Sequence, residues 1–197
     1  LAAAMQAMTF LKAVEVNVSC PNTDDGRAFA ESPEKLHDLL VDIRGVLKNT
    51  AMIVKLPLDF GHPSKAAEVA VEAGADALTL INTVPGMSID LKSRRSRIGR
   101  WSGGTSGPAI HPLAVRMVAD VYREVASPAG VPIIGLGGVM RWQDAAEFIL
   151  AGATGVGLGT ALFVDPRRPW KILKGLRKWA KSQGCASIRD LVGAVEN

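Results

Sequence analysis

The 197-residue sequence predicts a parallel α/β fold, and three observations carry that reading. Short apolar runs of β-type residues alternate with stretches of helical spacing, and this strand–helix order repeats five times at a spacing of roughly 25–40 residues. Polar side chains gather where the apolar runs end: Asn17 and Ser19, Lys55, then Asn82 and Thr83. The last two runs end in Gly137-Gly138 and Gly159-Thr160, each leading into a helix. The β-α repeat alone fits a doubly wound sheet or part of an eight-stranded barrel. The glycine endings favour the barrel, because exposed backbone N–H groups after consecutive strands make the phosphate cradle of its strands seven and eight. Residues 14–18 are then strand four. The reading is a TIM (β/α)8 barrel with strands four to eight in one domain, residues 1–197, and with strands one to three absent from this chain.

Taken in order, residues 2–12 read as the end of a helix and 14–18 as a strand. A loop follows, with Asp24-Asp25-Gly26 as its turn. Ser32-Pro33-Glu34 is a helix start, with an N-cap Ser, Pro at the first helical position and acid in the first turn. Leu36, Leu39, Leu40, Ile43 and Leu47 continue it at helical spacing. Residues 52–56 form a strand stopped by Pro57. Ser64 is expected to cap a helix to Ala73, with Ala67, Ala70 and Val71 inward, and 77–81 is a third strand. Residues 82–110 are too long for an ordinary connection and are expected to be functional. Helices over 112–126, 141–151 and 167–181, strands over 132–136 and 155–158, and a short helix over 188–195 complete the pattern.

Composition narrows the class. The chain is 48% hydrophobic and 5% aromatic, with 20 Gly, which suits a globular domain with an aliphatic core. No uncharged apolar run reaches the roughly 18 residues of a membrane span. The start lacks the basic region of a signal peptide and lacks Met, which hints at residues upstream. The net charge of +4 permits a nucleic-acid partner without arguing for one. Cys20 and Cys185 are far apart, so free thiols in a reducing cytoplasm are expected.

The chemistry concentrates at strand ends. Asn17 and Ser19 share a face of a continuing strand, and Cys20 follows where Pro21 turns the chain. Cys20 reads either as a reactive thiol at the mouth of the fold or as an inert buried one. Lys55 reads as a solvated strand terminus or, in a barrel, as a cation beside an electron-rich ring. Asn82-Thr83 repeats the amide-plus-hydroxyl theme of Asn17 and Ser19, which suits a planar ligand rich in donors and acceptors. Gly137-Gly138 and Gly159-Thr160 read as a phosphate site or as plain turns. The run from Ser102 to Pro108 adds N–H and hydroxyl donors or serves as a lid hinge. Lys92, Arg94, Arg95, Arg97 and Arg100 read as a solvated excursion rather than a nucleic-acid patch, since no recognised nucleic-acid module surrounds them. A protein-partner surface is the other option. His37, His62 and His111 lack metal spacing and no Cys-x-x-Cys occurs, so no metal or iron–sulfur cluster is expected on this chain.

The segment from Glu15 to Asn22, Glu-Val-Asn-Val-Ser-Cys-Pro-Asn, resembles the active-site segment of class 1 dihydroorotate dehydrogenases. Val54-Lys55-Leu56, Leu80-Ile81-Asn82-Thr83, Gly104-Thr105-Ser106-Gly107-Pro108, Ile134 to Val139 and Gly157-Leu158-Gly159-Thr160-Ala161 follow in that family's order. Thr83 with the stretch from Gly86 to Lys92 looks like the 1B subclass. The resemblance implies that Cys20 is the base taking a proton from C5 of dihydroorotate while C6 gives a hydride to FMN. It implies that Asn17, Asn22, Asn82 and Thr83 bind the pyrimidine and that Lys55 contacts the flavin ring. Ser106, Gly107, Gly137, Gly138, Gly159 and Thr160 would hold FMN, the last four mainly at its phosphate.

The 1B resemblance also implies an iron–sulfur flavoprotein partner carrying FAD and a 2Fe-2S cluster, with NAD as final acceptor. A cytoplasmic homo-oligomer acting on dihydroorotate and orotate, without nucleic acid or membrane, is the expectation. The family's chains are longer at the N-terminus by roughly three βα units, so this chain is expected to be the C-terminal two-thirds. Two alternatives stay open. One is a non-catalytic phosphate- or flavin-binding assembly piece; the other is a sister FMN barrel acting on another dihydropyrimidine.

Overall fold

The computed structural model describes residues 1–8, 10–18, 32–58, 62 and 64–196. In chain order the elements are α1 (Ala2–Gln6), β1 (Ala13–Asn17), α2 (Pro33–Val46), β2 (Ala51–Leu56), α3 (Lys65–Glu72) and β3 (Ala77–Leu80). Four short strands follow: β4 (Val84–Gly86), β5 (Ile89–Asp90), β6 (Arg95–Ser96) and β7 (Gly103–Thr105). The chain then forms α4 (His111–Val121), α5 (Ser127–Ala129), β8 (Ile133–Leu136), α6 (Trp142–Leu150), β9 (Gly155–Gly157), α7 (Thr160–Val164) and α8 (Arg168–Ser182). Among the described residues, five strands make one parallel sheet in the order β1-β2-β3-β8-β9. This is part of a (β/α)8 barrel, as the strand–helix repeat and the glycine endings of the last two strands together predict.

The two faces of the sheet set its register. Met52, Val54 and Leu56 of β2 are fully buried, with Leu36, Leu40, Leu78, Met117, Val118, Ile133 and Phe148 in the same core. Burying each such side chain contributes about 1.5–3 kcal/mol relative to leaving it exposed. A slip of one residue would turn this row away from the helices and drive Lys55 into them. The opposite face keeps Glu15, Asn17, Lys55 and Thr79. Asn17 is paired with Lys55, Lys55 with Thr79 and Thr79 with Ile134, so one row of residues crosses four strands at the same height.

Local signals account for most element boundaries. Ser32 caps α2 by accepting a hydrogen bond from Lys35 N at 3.3 Å, with Pro33 at the first position. Ser64 departs from expectation. It stands at the N-cap of α3 in a helical conformation, and its side chain caps nothing. Its hydroxyl donates instead to Glu124, in the π-helical turn Tyr122–Ala126 that follows α4. That bond, with the Arg123 guanidinium beside it, holds the Glu124 carboxyl below the usual carboxylate range. The helix expected over 2–12 ends at Gln6, and that expected over 188–195 is a single 3-10 turn, Ile188–Leu191.

The excursion between β3 and α4 is more ordered than its sequence suggests. β4 pairs with β7 and β5 with β6, both antiparallel, so the chain leaves the sheet and returns as a two-tier ribbon. Its tip turns through Arg94 at φ 58, with Asp90 accepting from the Ser93 amide and hydroxyl. Lys92, Arg94, Arg95, Arg97 and Arg100 are all exposed on it, in keeping with a solvated excursion. No helix among the described residues is long and apolar enough to cross a membrane.

Candidate flavin and substrate site

At the carboxyl ends of β2, β3, β8 and β9 lies a cavity of about 290 Å³. Lys55, Asn82, Thr83, Ser106, Gly107, Gly137, Gly138, Gly159 and Thr160 all line it. These are nine candidate site residues that the sequence singles out, drawn from five separate segments. Asn17 reaches the same end through a hydrogen bond with Asn82. Cys20 and Asn22, like Ser19, lie outside the described residues.

The β1–β3 end of the site is built from interlocked side chains. Asn82 Nδ2 donates to Asn17 Oδ1 at 3.2 Å, and Asn82 Oδ1 accepts from the Thr83 amide at 2.8 Å. The Asn82 carboxamide is therefore oriented from both sides. Below it, Thr79 Oγ1 donates to Glu15 Oε2 at 2.7 Å, and Lys55 Nζ stands 3.7 Å from Glu15 Oε1. Glu15 and Thr79 escape the sequence reading as site residues. A local signal exists for Glu15, which precedes Asn17 by two positions and shares its face; Thr79 has none and joins only through cross-strand register with Lys55. Gly104 passes so close to Thr83 Oγ1 that any side chain there would collide with it. The ribbon strand β7 can thus lie over Thr83 only with glycine at that point.

The other end is a backbone cradle. Gly138 sits at φ 67, and a Cβ there would come within 2.6 Å of the Gly107 carbonyl oxygen. Neither the dihedral nor the space admits a side chain. Thr160 Oγ1 donates to Ser106 Oγ at 2.8 Å and ties the loop after β9 to the loop after β7. The loop from Gly137 to Met140 is held from three directions. Gly137 O is bonded by His111 Nδ1 at 2.8 Å, Met140 N donates to Asp144 Oδ2 at 2.9 Å, and Met140 O accepts from Arg168 Nη1 at 2.9 Å. Burial pushes the Asp144 carboxyl upward, but the Met140 amide and the Arg141 side chain and amide outweigh it and hold it below its usual range.

Electrostatically the cavity suits an anion at one end. Among the described lining residues Lys55 is the single charged group, and none carries a carboxylate. Successive N–H groups with two hydroxyls and no acid in the lining suit an anion. Apolar Ile81, Ile110, Leu136 and Val139 line the space between the cradle and the Asn82 end. A flat ligand with a phosphate tail, amphipathic along its length, matches that arrangement.

A family description for dihydroorotate dehydrogenase matches residues 1–179. The chain is 44% identical over 197 residues to the "Dihydroorotate dehydrogenase B (NAD(+)), catalytic subunit" of Trichlorobacter lovleyi, covering 100% of this chain and 63% of that protein. It is 40% identical over 187 residues to the protein of the same name from Bacteroides thetaiotaomicron, covering 94% of this chain and 60% of that one. The chain thus spans about three-fifths of the length of these relatives. Among solved structures, dihydroorotate dehydrogenase from Eimeria tenella, crystallised with ferulenol, superposes with a TM-score of 0.79 at 22% identity, over 98% of this chain and 57% of that one. By sequence over nearly its whole length, and by fold, this chain belongs to the dihydroorotate dehydrogenase family.

Proposed function

We propose that the chain supplies the FMN-binding, catalytic part of a dihydroorotate dehydrogenase that oxidises dihydroorotate to orotate. The observation that carries this reading is the convergence of Lys55, Asn82, Thr83, Ser106, Gly107, Gly137, Gly138, Gly159 and Thr160 on one cavity. The family is flavin-dependent, and the donor set fits FMN in particular. Gly137, Gly138, Gly159 and Thr160, with Ser106 and Gly107, would hold the phosphate end, and Lys55 would face the ring. When bound, FMN supplies an acceptor for the hydride leaving C6 of the substrate.

The remaining chemistry belongs to the chain's own residues. Cys20, as thiolate, takes the proton from C5, so that proton and hydride leave adjacent carbons and a C5=C6 double bond remains. A general base of this kind contributes about 10²–10⁴-fold. Asn17, Asn22, Asn82 and Thr83 orient the pyrimidine through its amide edges. The Asn17–Asn82 bond presets two of these carboxamides before substrate arrives. Glu15 holds Lys55 in the cavity and partly balances its charge.

In this reading the electrons pass to NAD through a partner iron–sulfur flavoprotein. The words "catalytic subunit" in the relatives' names support a partner subunit in their case. A cytoplasmic homo-oligomer is the matching assembly. The test is spectroscopic. The full natural chain, purified, should show flavin absorption, and anaerobic dihydroorotate should bleach it. Protein that is colourless and stays so with added FMN would sink the proposal. Bleaching by an uncharged dihydropyrimidine but not by dihydroorotate would replace it with a sister activity.

A further inference from the structure

His111 opens α4 behind the cradle and does not line the cavity. It is only 8% exposed, so its ring nitrogens depend on partners within the fold. Its Nδ1 lies 2.8 Å from the Gly137 carbonyl oxygen, and a carbonyl only accepts, so Nδ1 carries the hydrogen. Phe148 meets the ring edge-on at 5.1 Å between centroids, and Glu147 stands 3.3 Å from Nε2. Nε2 itself is buried and makes no hydrogen bond of good geometry. The ring is therefore clamped on all sides while just one of its nitrogens makes a well-formed bond. Asp144 is the other carboxylate nearby, and its oxygens already accept from Met140 and Arg141.

The consequence lies across one peptide group. The Gly137 carbonyl and the Gly138 N–H belong to the same planar trans peptide, so they point in opposite directions. Gly138 lines the cavity, and His111, which bonds the Gly137 carbonyl, does not. We infer that His111 is a positioning residue for anion binding: its Nδ1–H holds the Gly137 carbonyl back and so aims the Gly138 N–H into the cavity. Glycine at positions 137 and 138 leaves this peptide free to rotate, and nothing in the loop's own covalent structure fixes its orientation. The bond to His111 supplies that constraint and polarises the peptide toward a stronger donor. This inference rests on the FMN reading of the cavity for its natural ligand, but the geometry concerns any phosphate there.

Two substitutions of like chemistry and different reach test it in the full natural chain. His111→Asn places its amide N–H near the site of Nδ1, and His111→Gln places it near Nε2. The readout is the ratio of FMN to riboflavin affinity, measured by quenching of flavin fluorescence. The ratio isolates the phosphate contribution, which general loosening of the fold would not change. His111→Gln should lower the ratio about tenfold, the factor expected for loss of one hydrogen bond serving a charged group. His111→Asn should stay within about twofold of wild type on the same scale. Equal behaviour of the two variants, or equal losses for FMN and riboflavin, overturns the inference. If wild type binds no flavin, the FMN reading falls separately. Inorganic phosphate then becomes the probe, and an unchanged phosphate affinity in His111→Gln overturns the role of His111.

Discussion

At the Gly137–Gly138 end of the cavity the polar groups are backbone amides and two short hydroxyls; at the Asn82 end they are the side chains of Lys55, Asn82 and Thr83, with Asn17 bonded to Asn82. The cradle is fixed by groups behind it, His111, Asp144 and Arg168, none of which lines the cavity. The Asn82 end is fixed by side chains of neighbouring strands that bond one another, Asn17 with Asn82, and Thr79 and Lys55 with Glu15; of these, Lys55 and Asn82 line the cavity themselves. The difference follows the task each end would perform. A phosphate is the same in every turnover and can be met by a rigid backbone. A substrate that changes from sp³ to sp² carbon at two atoms is better met by side chains whose partners sit on neighbouring strands.

The comparison breaks first where the chemistry is concentrated. Cys20→Ala in the full natural chain should cost about 10²–10⁴-fold in turnover at neutral pH with flavin retained. Near-normal turnover in that variant would overturn Cys20 as the base. Next comes Gly138→Ala, which forces a positive-φ backbone and a contact with the Gly107 carbonyl. Strain of about 1–3 kcal/mol should weaken FMN binding by roughly ten- to a hundredfold. Its melting curve would show whether the damage stays local, and wild-type flavin affinity would contradict the cradle as drawn.

Lys55→Met keeps the stem and removes the cation. About tenfold slower reduction of flavin by substrate is expected, with phosphate-dependent affinity unchanged, because the two ends are held independently. A matching loss of phosphate affinity would show instead that the ends act as one unit.

The smallest effect concerns stability. Asp144→Ala removes the acceptor for the Met140 and Arg141 amides and should cost about 1–2 kcal/mol in denaturant unfolding at pH 7. Because the folded carboxyl is held below its usual range, its stabilisation is complete above the unfolded pKa and is lost as pH falls through the folded value. The gap between wild type and variant should therefore narrow below about pH 4. A gap independent of pH from 7 to 3 would mean that Asp144 acts through packing alone.

Much of this was legible in the residues. The β-α repeat, the glycine endings of the last two strands and the Ser32-Pro33 helix start have local causes, and the structure repeats them within a residue or two. Ser64 does not cap because its backbone is already helical and its hydroxyl is directed to a tertiary partner, Glu124, and no local rule sees a residue sixty positions away. The ribbon of β4 to β7 was hidden because its strands are two or three residues long and rich in Gly, Pro and charge, below the length at which alternation is readable. For His111 the sequence shows only that it lacks metal spacing with the other histidines, since its partners Gly137 and Glu147 come from two other segments.

By itself, then, the sequence determined which residues sit at strand ends and which loops lack side chains, because strand period and backbone freedom are properties of a few neighbouring residues. Only the tertiary structure decided that Asn17, Lys55 and Thr79 lie in one row, that Glu15 answers Lys55, and that His111 backs the Gly137 carbonyl. Those relations depend on the register between parallel strands and on helix packing against the sheet. Both are set by burial of the Met52, Val54 and Leu56 face, a sum over the whole core that no short stretch of sequence contains.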